Sequence, residues 1–226
     1  MSCMAELVSP HGLNSATFHA LSVASGLCWA IAYFLIIRRG LRDRTYGMPI
    51  VAVCVNISWE FIFSFLIPHQ PPQQYINISW FLLDLFILGQ LLCYWRSDFP
   101  LLDSIIFYPF VAASLLASFG LIYTMTLELD DCGAYTAFGQ NFLMSILFMI
   151  MLFRRNSLRG QSLYIALSKM VGTALACTAA YLYVPLAGQS VVLQYLFLAT
   201  LFFDLNYVAA VYYVGRKEGL SVWRRL

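Results

Sequence analysis

Charge is what this chain has least of: 11% of its 226 residues are Asp, Glu, Lys or Arg, where soluble domains carry ~25%, and 61% are hydrophobic. That balance excludes a soluble globular domain, and the chain reads as a polytopic membrane protein. Long polar stretches are missing too, so no separate soluble domain or long linker is expected, and residues 1–226 read as one domain. The six cysteines show no metal-ligand spacing; Cys28, Cys54, Cys93 and Cys177 lie inside apolar runs and read as packing residues rather than as a disulfide or zinc framework. No basic region precedes the first apolar run, which ends in four arginines within seven residues, so it is expected to be retained rather than cleaved as a signal. The net charge is only +2 and gives no reason to invoke nucleic acid as a partner.

What the chain has instead is seven apolar runs near the ~20 residues needed to cross ~30 Å of hydrocarbon. They cover residues 18–37, 48–67, 78–95, 101–127, 134–153, 162–184 and 191–214, which predicts an all-α bundle of seven transmembrane helices. All but one of the 13 basic residues fall after the first, third, fifth and seventh runs, while loops 68–77, 128–133 and 185–190 carry none. The positive-inside rule then puts the N-terminus outside or lumenal and the C-terminus cytosolic. An integral, multi-pass membrane location is expected. The loop Pro68-His-Gln-Pro-Pro-Gln-Gln74 is expected to lie extended against the membrane surface, and the sequon Asn77-Ile78-Ser79, at a helix start, is not expected to be used.

The exceptions to apolarity point to function. A carboxyl at bilayer depth is unfavourable by at least a few kcal/mol and marks a substrate path, a proton site or a buried partner. Glu60 is such a group, and Asn56, Glu60 and Ser64 recur every four residues as one polar stripe that must face protein. Asp84 is a second intramembrane carboxyl, equally readable as a buried structural residue. Lys169 is the one basic residue outside the basic loops, and Thr200, Asp204 and Tyr207 share a stripe of the last helix. At ~1.5 Å per residue, Glu60 and Asp84 lie ~10 and ~9 Å from the outer helix ends and can share a layer. Asp204, ~20 Å from the outer end, and Lys169, ~10 Å from the inner one, are close enough in depth to pair. A carboxyl in a dry cavity keeps its proton because its charged form loses solvation. Such an acid can protonate an epoxide or alkene, and aromatic faces, abundant in the same runs, can stabilise the cation that follows by ~0.5–2 kcal/mol each.

Three segments carry a resemblance: Trp29-Ala-Ile-Ala-Tyr33, Asp43-Arg-Thr-Tyr-Gly-Met-Pro49, and Cys54-Val-Asn-Ile-Ser-Trp-Glu-Phe61 with Pro68 beyond. Together they resemble the opening third of the small integral-membrane terpene cyclases of fungal meroterpenoid and indole-diterpene biosynthesis, a family with bacterial relatives. Residues 160–172, with Lys169 where such proteins can have arginine, and Phe203-Asp204 with Tyr207 and the closing Tyr-Val-Gly-Arg-Lys extend it at lower density. The resemblance implies a seven-helix enzyme that protonates a polyprenyl chain, usually at a terminal epoxide, and lets it close into fused rings while attached to an aromatic or other polar head. It places the family's acidic pair on Glu60, as general acid, and Asp204, as its hydrogen-bonding partner, a second acid or the final base. Asn56, Trp59, Asp84, Lys169, Tyr207, Trp29 and Tyr33 are the expected substrate-binding or supporting residues, and Asp84 is a candidate to hold Glu60 in place. A prenyltransferase and an epoxidase are the expected functional partners, and no cofactor is expected.

No Asp-Asp-x-x-Asp motif is present to hold a magnesium-bound diphosphate, so no metal is expected. Glu128-Leu-Asp-Asp131 superficially resembles the Asp-x-Asp-Asp acid of soluble protonating cyclases but falls in a loop open to water. The alternative from another class is a seven-helix small-solute transporter or channel whose buried acids form a polar path. Against it, the halves show no convincing repeat, and the single Pro-Gln pair, Pro72-Gln73, lies in a loop. A retinal protein would need its lysine in the last helix. The remaining reading is that Glu60, Asp84, Lys169 and Asp204 satisfy one another as bundle glue.

Overall fold

Each long helix begins and ends where the local chemistry allows. In the computed structural model, which describes residues 14–129 and 131–226, α1 covers Ser15–Asp43 and starts where the Asn14 side chain accepts from the Ala16 N–H. It stops at Arg44, whose left-handed backbone turns the chain. α2 covers Ile50–Phe61, opened by Pro49 and prolonged by a π-helical turn over Ile62–Leu66. α3, Gln73–Tyr94, begins five residues before the expected edge because Asn77 is tied down there. α4 is Ser104–Leu129, α5 is Ala134–Arg155, and α6 is Leu163–Tyr183, capped by the Ser162 hydroxyl on the Ile165 N–H. A short α7, Pro185–Gln189, precedes α8, Val191–Lys217, which is capped by the Ser190 hydroxyl.

Among the described residues six helices are long and apolar enough to cross a membrane, and one more apolar helix, Ile50–Leu66, is shorter. At ~1.5 Å per residue it spans ~25 Å. Helices α1, α3, α2, α5, α8 and α6 follow one another round a closed ring, with α1 on α6 the most extensive pairing, and α4 packs on the outside of α2. Polarity runs inside out. Leu27, Phe86, Ile105, Leu116, Leu198 and Phe202 are exposed, whereas Asn56, Glu60, Asp84, Lys169 and Asp204 are buried. Helices that satisfy their own backbone and turn apolar side chains outward are what a bilayer demands.

The end of the ring that gathers the arginines is tightly locked. Asp98 accepts from Tyr46 Oη (2.7 Å), Arg154 (2.8 Å), Arg155 Nε (2.9 Å) and Arg159 (2.8 Å). Asp43 pairs with Arg39 (2.6 Å) and Arg225 (2.7 Å) and accepts from the Gly160 N–H (2.8 Å). Gly47 and Gly160 are required at this crossing: a Cβ on Gly47 would stand 2.8 Å from Ile36 Cγ2, and one on Gly160, whose φ is +75°, would stand 2.9 Å from the Tyr46 carbonyl. The Arg-Thr-Tyr-Gly-Met segment is therefore a clamp between helices.

Candidate active site

Opposite the arginine end, inside the ring, lies a cavity of about 250 Å³ walled by α1, α2, α3, α5 and α6. That volume is at the small end of ligand pockets, which run ~300–1,000 Å³. Trp29, Tyr33, Asn56, Trp59, Glu60 and Trp80 all line it. Glu60 sits in the polar stripe of α2, and the stripe faces protein as its spacing required. Tyr33 Oη donates to Glu60 Oε1 (3.1 Å), and Asn56 Nδ2 donates to Glu60 Oε1 (3.2 Å), to Asp84 Oδ2 (2.9 Å) and to Tyr33 Oη. Glu60 and Asp84 thus share one layer and one amide, with the phenol beside them. Among the described residues no lysine or arginine forms an ion pair with either acid, and the two carboxyls are close enough to share a hydrogen bond when one of them keeps its proton.

Asp204 is elsewhere. It lies on α8, which stands between α5 and α6 in the ring and contributes no side chain to the cavity wall. Its Oδ1 is 2.6 Å from Lys169 Nζ, which also donates to Ser145 Oγ (2.6 Å), and all three residues are buried. The expectation of a direct hydrogen bond between Asp204 and Glu60 is therefore corrected: the partners of Glu60 are Tyr33 and Asn56, because α2 and α8 do not face each other across the ring. The two centres connect through Trp29. Lys169 Nζ stands 5.6 Å from the Trp29 ring centroid, and that ring meets Tyr33 edge-on at 5.7 Å. Gly172 makes the approach possible, since a Cβ there would fall 2.8 Å from Trp29 Cδ1. Tyr207 points toward the arginine end, where its hydroxyl donates to Gln161 Oε1 (3.0 Å), and it is absent from the cavity wall.

An acid held by a phenol and an amide faces an aromatic cavity, and comparison with known proteins decides the family. The sequence profile of the Pyr4-like transmembrane terpene cyclases matches residues 8–217. The chain belongs to this family. It is 31% identical over 161 residues to the Pyr4-family terpene cyclase mfmH of Annulohypoxylon moriforme, and 30% identical over 156 residues to the terpene cyclase pyr4 of Aspergillus fumigatus. Those alignments cover 69% and 67% of this chain, and span 66% and 65% of the lengths of these two relatives. The terpene cyclase adrI of Penicillium rubens is 25% identical over 207 residues, covering 88% of this chain and 83% of that protein. These comparisons give the transporter reading no support.

For a member of the Pyr4-like family, several wall residues had no usable signal in the sequence. The loop expected to lie along the membrane instead turns inward, and His69 reaches the cavity, stacked on Phe63 at 4.6 Å. Asn77 Nδ2 can only donate and the Cys132 carbonyl can only accept, so their 3.0 Å contacts fix His69 as the neutral Nε2–H tautomer. Burial lowers the His69 pKa and outweighs the bond to the carbonyl. Asn77, in the sequon, is fully buried. Gly133, at φ +72°, accepts from Trp59 Nε1 (3.3 Å), and any Cβ there would collide with Phe63. Trp80 lines the cavity and donates to the Gly26 carbonyl (3.2 Å). Asp131, from the superficial acidic motif, caps α5 by accepting from Gly133 N (3.0 Å) and Tyr135 N (2.7 Å). Its neighbour Asp130 lies outside the described residues. Cys28, Cys54, Cys93 and Cys177 are free thiols, and among the described residues no His, Cys, Asp and Glu cluster has a metal-holding arrangement.

Proposed function

We propose that this chain is a membrane-bound terpene cyclase that protonates a prenyl chain, at a terminal epoxide or an alkene, on a prenylated aromatic or other head group, and drives ring closure through carbocations. The observation that carries the reading is Glu60, a buried acid with no basic partner whose side chain faces a cavity walled by indole and phenol rings. Two neighbouring carboxylates without a cation repel, so the Glu60 and Asp84 pair favours retaining a proton. Glu60 gives that proton to the epoxide oxygen, the C–O bond breaks, and the electron pair stays on oxygen as a hydroxyl. The tertiary cation so formed is attacked by the next double bond, and each closure passes the charge along the chain past Trp29, Tyr33, Trp59 and Trp80. The last cation loses a proton, which returns to the Glu60 carboxylate, so product and substrate are isomers. Initiation by a proton calls for no metal or cofactor.

Asp204 acts as a positioning residue in this scheme. It neutralises Lys169, and Lys169 braces the Trp29 ring that faces the substrate. Asn56, Tyr33 and Asp84 orient Glu60, and Trp59 forms wall. Tyr207 supports the bundle from the arginine end. The same reading puts the N-terminus outside or lumenal, the C-terminus cytosolic and a single seven-helix domain over residues 1–226. A prenyltransferase and an epoxidase supply the substrate, in the endoplasmic reticulum of a fungus or the plasma membrane of a bacterium.

The test is incubation of membranes carrying the protein with an epoxyprenyl phenol, followed by product analysis. Cyclised isomers are expected from the parent. Glu60→Gln keeps size and most hydrogen bonding and is expected to lower the rate by ~10²–10⁴. Cyclisation by that variant at the parent rate would remove Glu60 from the role.

A further inference from the structure

Among the described residues of the cavity wall, one buried oxygen that the proposed chemistry does not use has no partner: Gln140 Oε1, on α5. Along α5, Ala137, Gln140, Asn141 and Met144 all face the cavity, a spacing that puts them on one side of the helix. Gln140 is six residues from Ala134 at the start of α5, and Glu60 is six residues from Leu66 at the end of the α2 extension. Each is therefore ~9 Å deep from the same end of the ring. Asn141 is engaged by Thr173 Oγ1 (3.4 Å), whereas the Gln140 side chain forms no hydrogen bond among the described residues. A buried amide oxygen without a donor is unfavourable and is retained where something else supplies the donor.

The wall also limits what that donor is. Among the described residues no lysine or arginine lines the cavity, so it offers no counter-charge to an ionised phosphate or carboxylate on the ligand. A neutral O–H or N–H fits. We propose that Gln140 is a specificity-determining residue that accepts a hydrogen bond from an O–H or N–H of the substrate's neutral head group and so fixes the head in the Glu60 layer. The inference rests on the cyclase reading for the prenylated character of the ligand.

Binding rather than turnover tests it, so its failure is separable from failure of the cyclase reading. The probes are a farnesylated phenol and its O-methyl ether, neither epoxidised, titrated into the purified full chain in detergent, with quenching of tryptophan fluorescence as readout. The parent is expected to bind the phenol roughly tenfold more tightly than the ether, the worth of one neutral hydrogen bond. Gln140→Met keeps length without the acceptor and is expected to weaken the phenol alone, bringing the two probes within about twofold. Gln140→Asn, which withdraws the acceptor by one carbon, serves as a second variant, and thermal unfolding reports that both fold. A parent that does not prefer the phenol, or binds neither probe, overturns the proposal. So does a preference that survives in Gln140→Met or disappears in Glu60→Gln instead. Absence of cyclised product from the epoxide with the phenol preference intact would sink the cyclase reading and leave Gln140 as a head-group contact.

Discussion

Tyr33 and Asn56 decide where the Glu60 carboxyl points. Oε1 is fixed by both, on a side chain that faces the cavity with the Asp84 carboxyl beside it. Tyr33→Phe removes one bond and keeps the ring against Trp29, so it separates orientation from packing. Product formation is expected to fall by roughly tenfold, the worth of one hydrogen bond to a charged or charge-developing group, with the melting temperature shifted little. A parent-like rate in membranes of that variant would show that Asn56 alone sets the geometry. The stripe of Asn56, Glu60 and Ser64 was legible from its spacing in α2. Tyr33 was legible only as an aromatic next to Trp29, because its bond to Glu60 crosses between helices.

At the scale of elements, α8 illustrates how depth can be read from a sequence while direction cannot. Counting residues puts Asp204 level with Lys169, and the two do pair at 2.6 Å. Counting does not reveal that α8 stands between α5 and α6 rather than against α2. Lys169→Met leaves the Asp204 carboxylate buried without compensation, and such a change is expected to destabilise the protein by about 3–5 kcal/mol. Adding Asp204→Leu removes the stranded charge and is expected to recover most of that loss. Thermal unfolding of the single and double variants in detergent measures both steps. Cyclisation by a folded Asp204→Asn variant, in which Lys169 stays beside Trp29, checks the positioning role; a folded Asp204→Asn protein without any turnover would assign acid or base chemistry to Asp204 itself.

Across the whole molecule, the two ends of the bundle do different work. The arginine end is a lock centred on Asp98, and the opposite end is left open for a cavity. Burial alone would raise the Asp98 carboxyl, but hydrogen bonds from Arg155 and Tyr46 and the nearby arginine charges hold it below the ordinary carboxylate range. Burial and then Asp98 push the Tyr46 phenol up to about 12. A carboxylate depressed in the folded state stabilises the fold above its unfolded value of ~3.9 and loses that contribution as pH falls through the lower folded value. Asp98→Asn is expected to lower stability at neutral pH by about 3 kcal/mol, toward the low end for a broken buried pair because Arg154 and Arg159 are half-exposed. It should also flatten the acid limb of the unfolding profile. An acid limb unchanged from the parent would place the pH-sensitive contact elsewhere.

The sequence by itself determined the class of molecule. Seven apolar runs, basic loops at alternate ends and a carboxyl set among apolar residues follow from composition and period, which are local properties. The segments around Trp29, Asp43 and Glu60 were sufficient to point to the family. Tertiary structure decided everything that depends on which faces of different helices meet: Glu60 beside Asp84, Asp204 on Lys169 rather than on Glu60, and Trp29 between the two centres. It also brought His69 in from a loop expected at the surface and gave Gln140 an unpaired oxygen in the cavity. Helical periodicity fixes the angle of a side chain about its own axis. The rotation of that axis against its neighbours is set by close packing at places such as Gly160 and Gly172, and that is a property of pairs of helices.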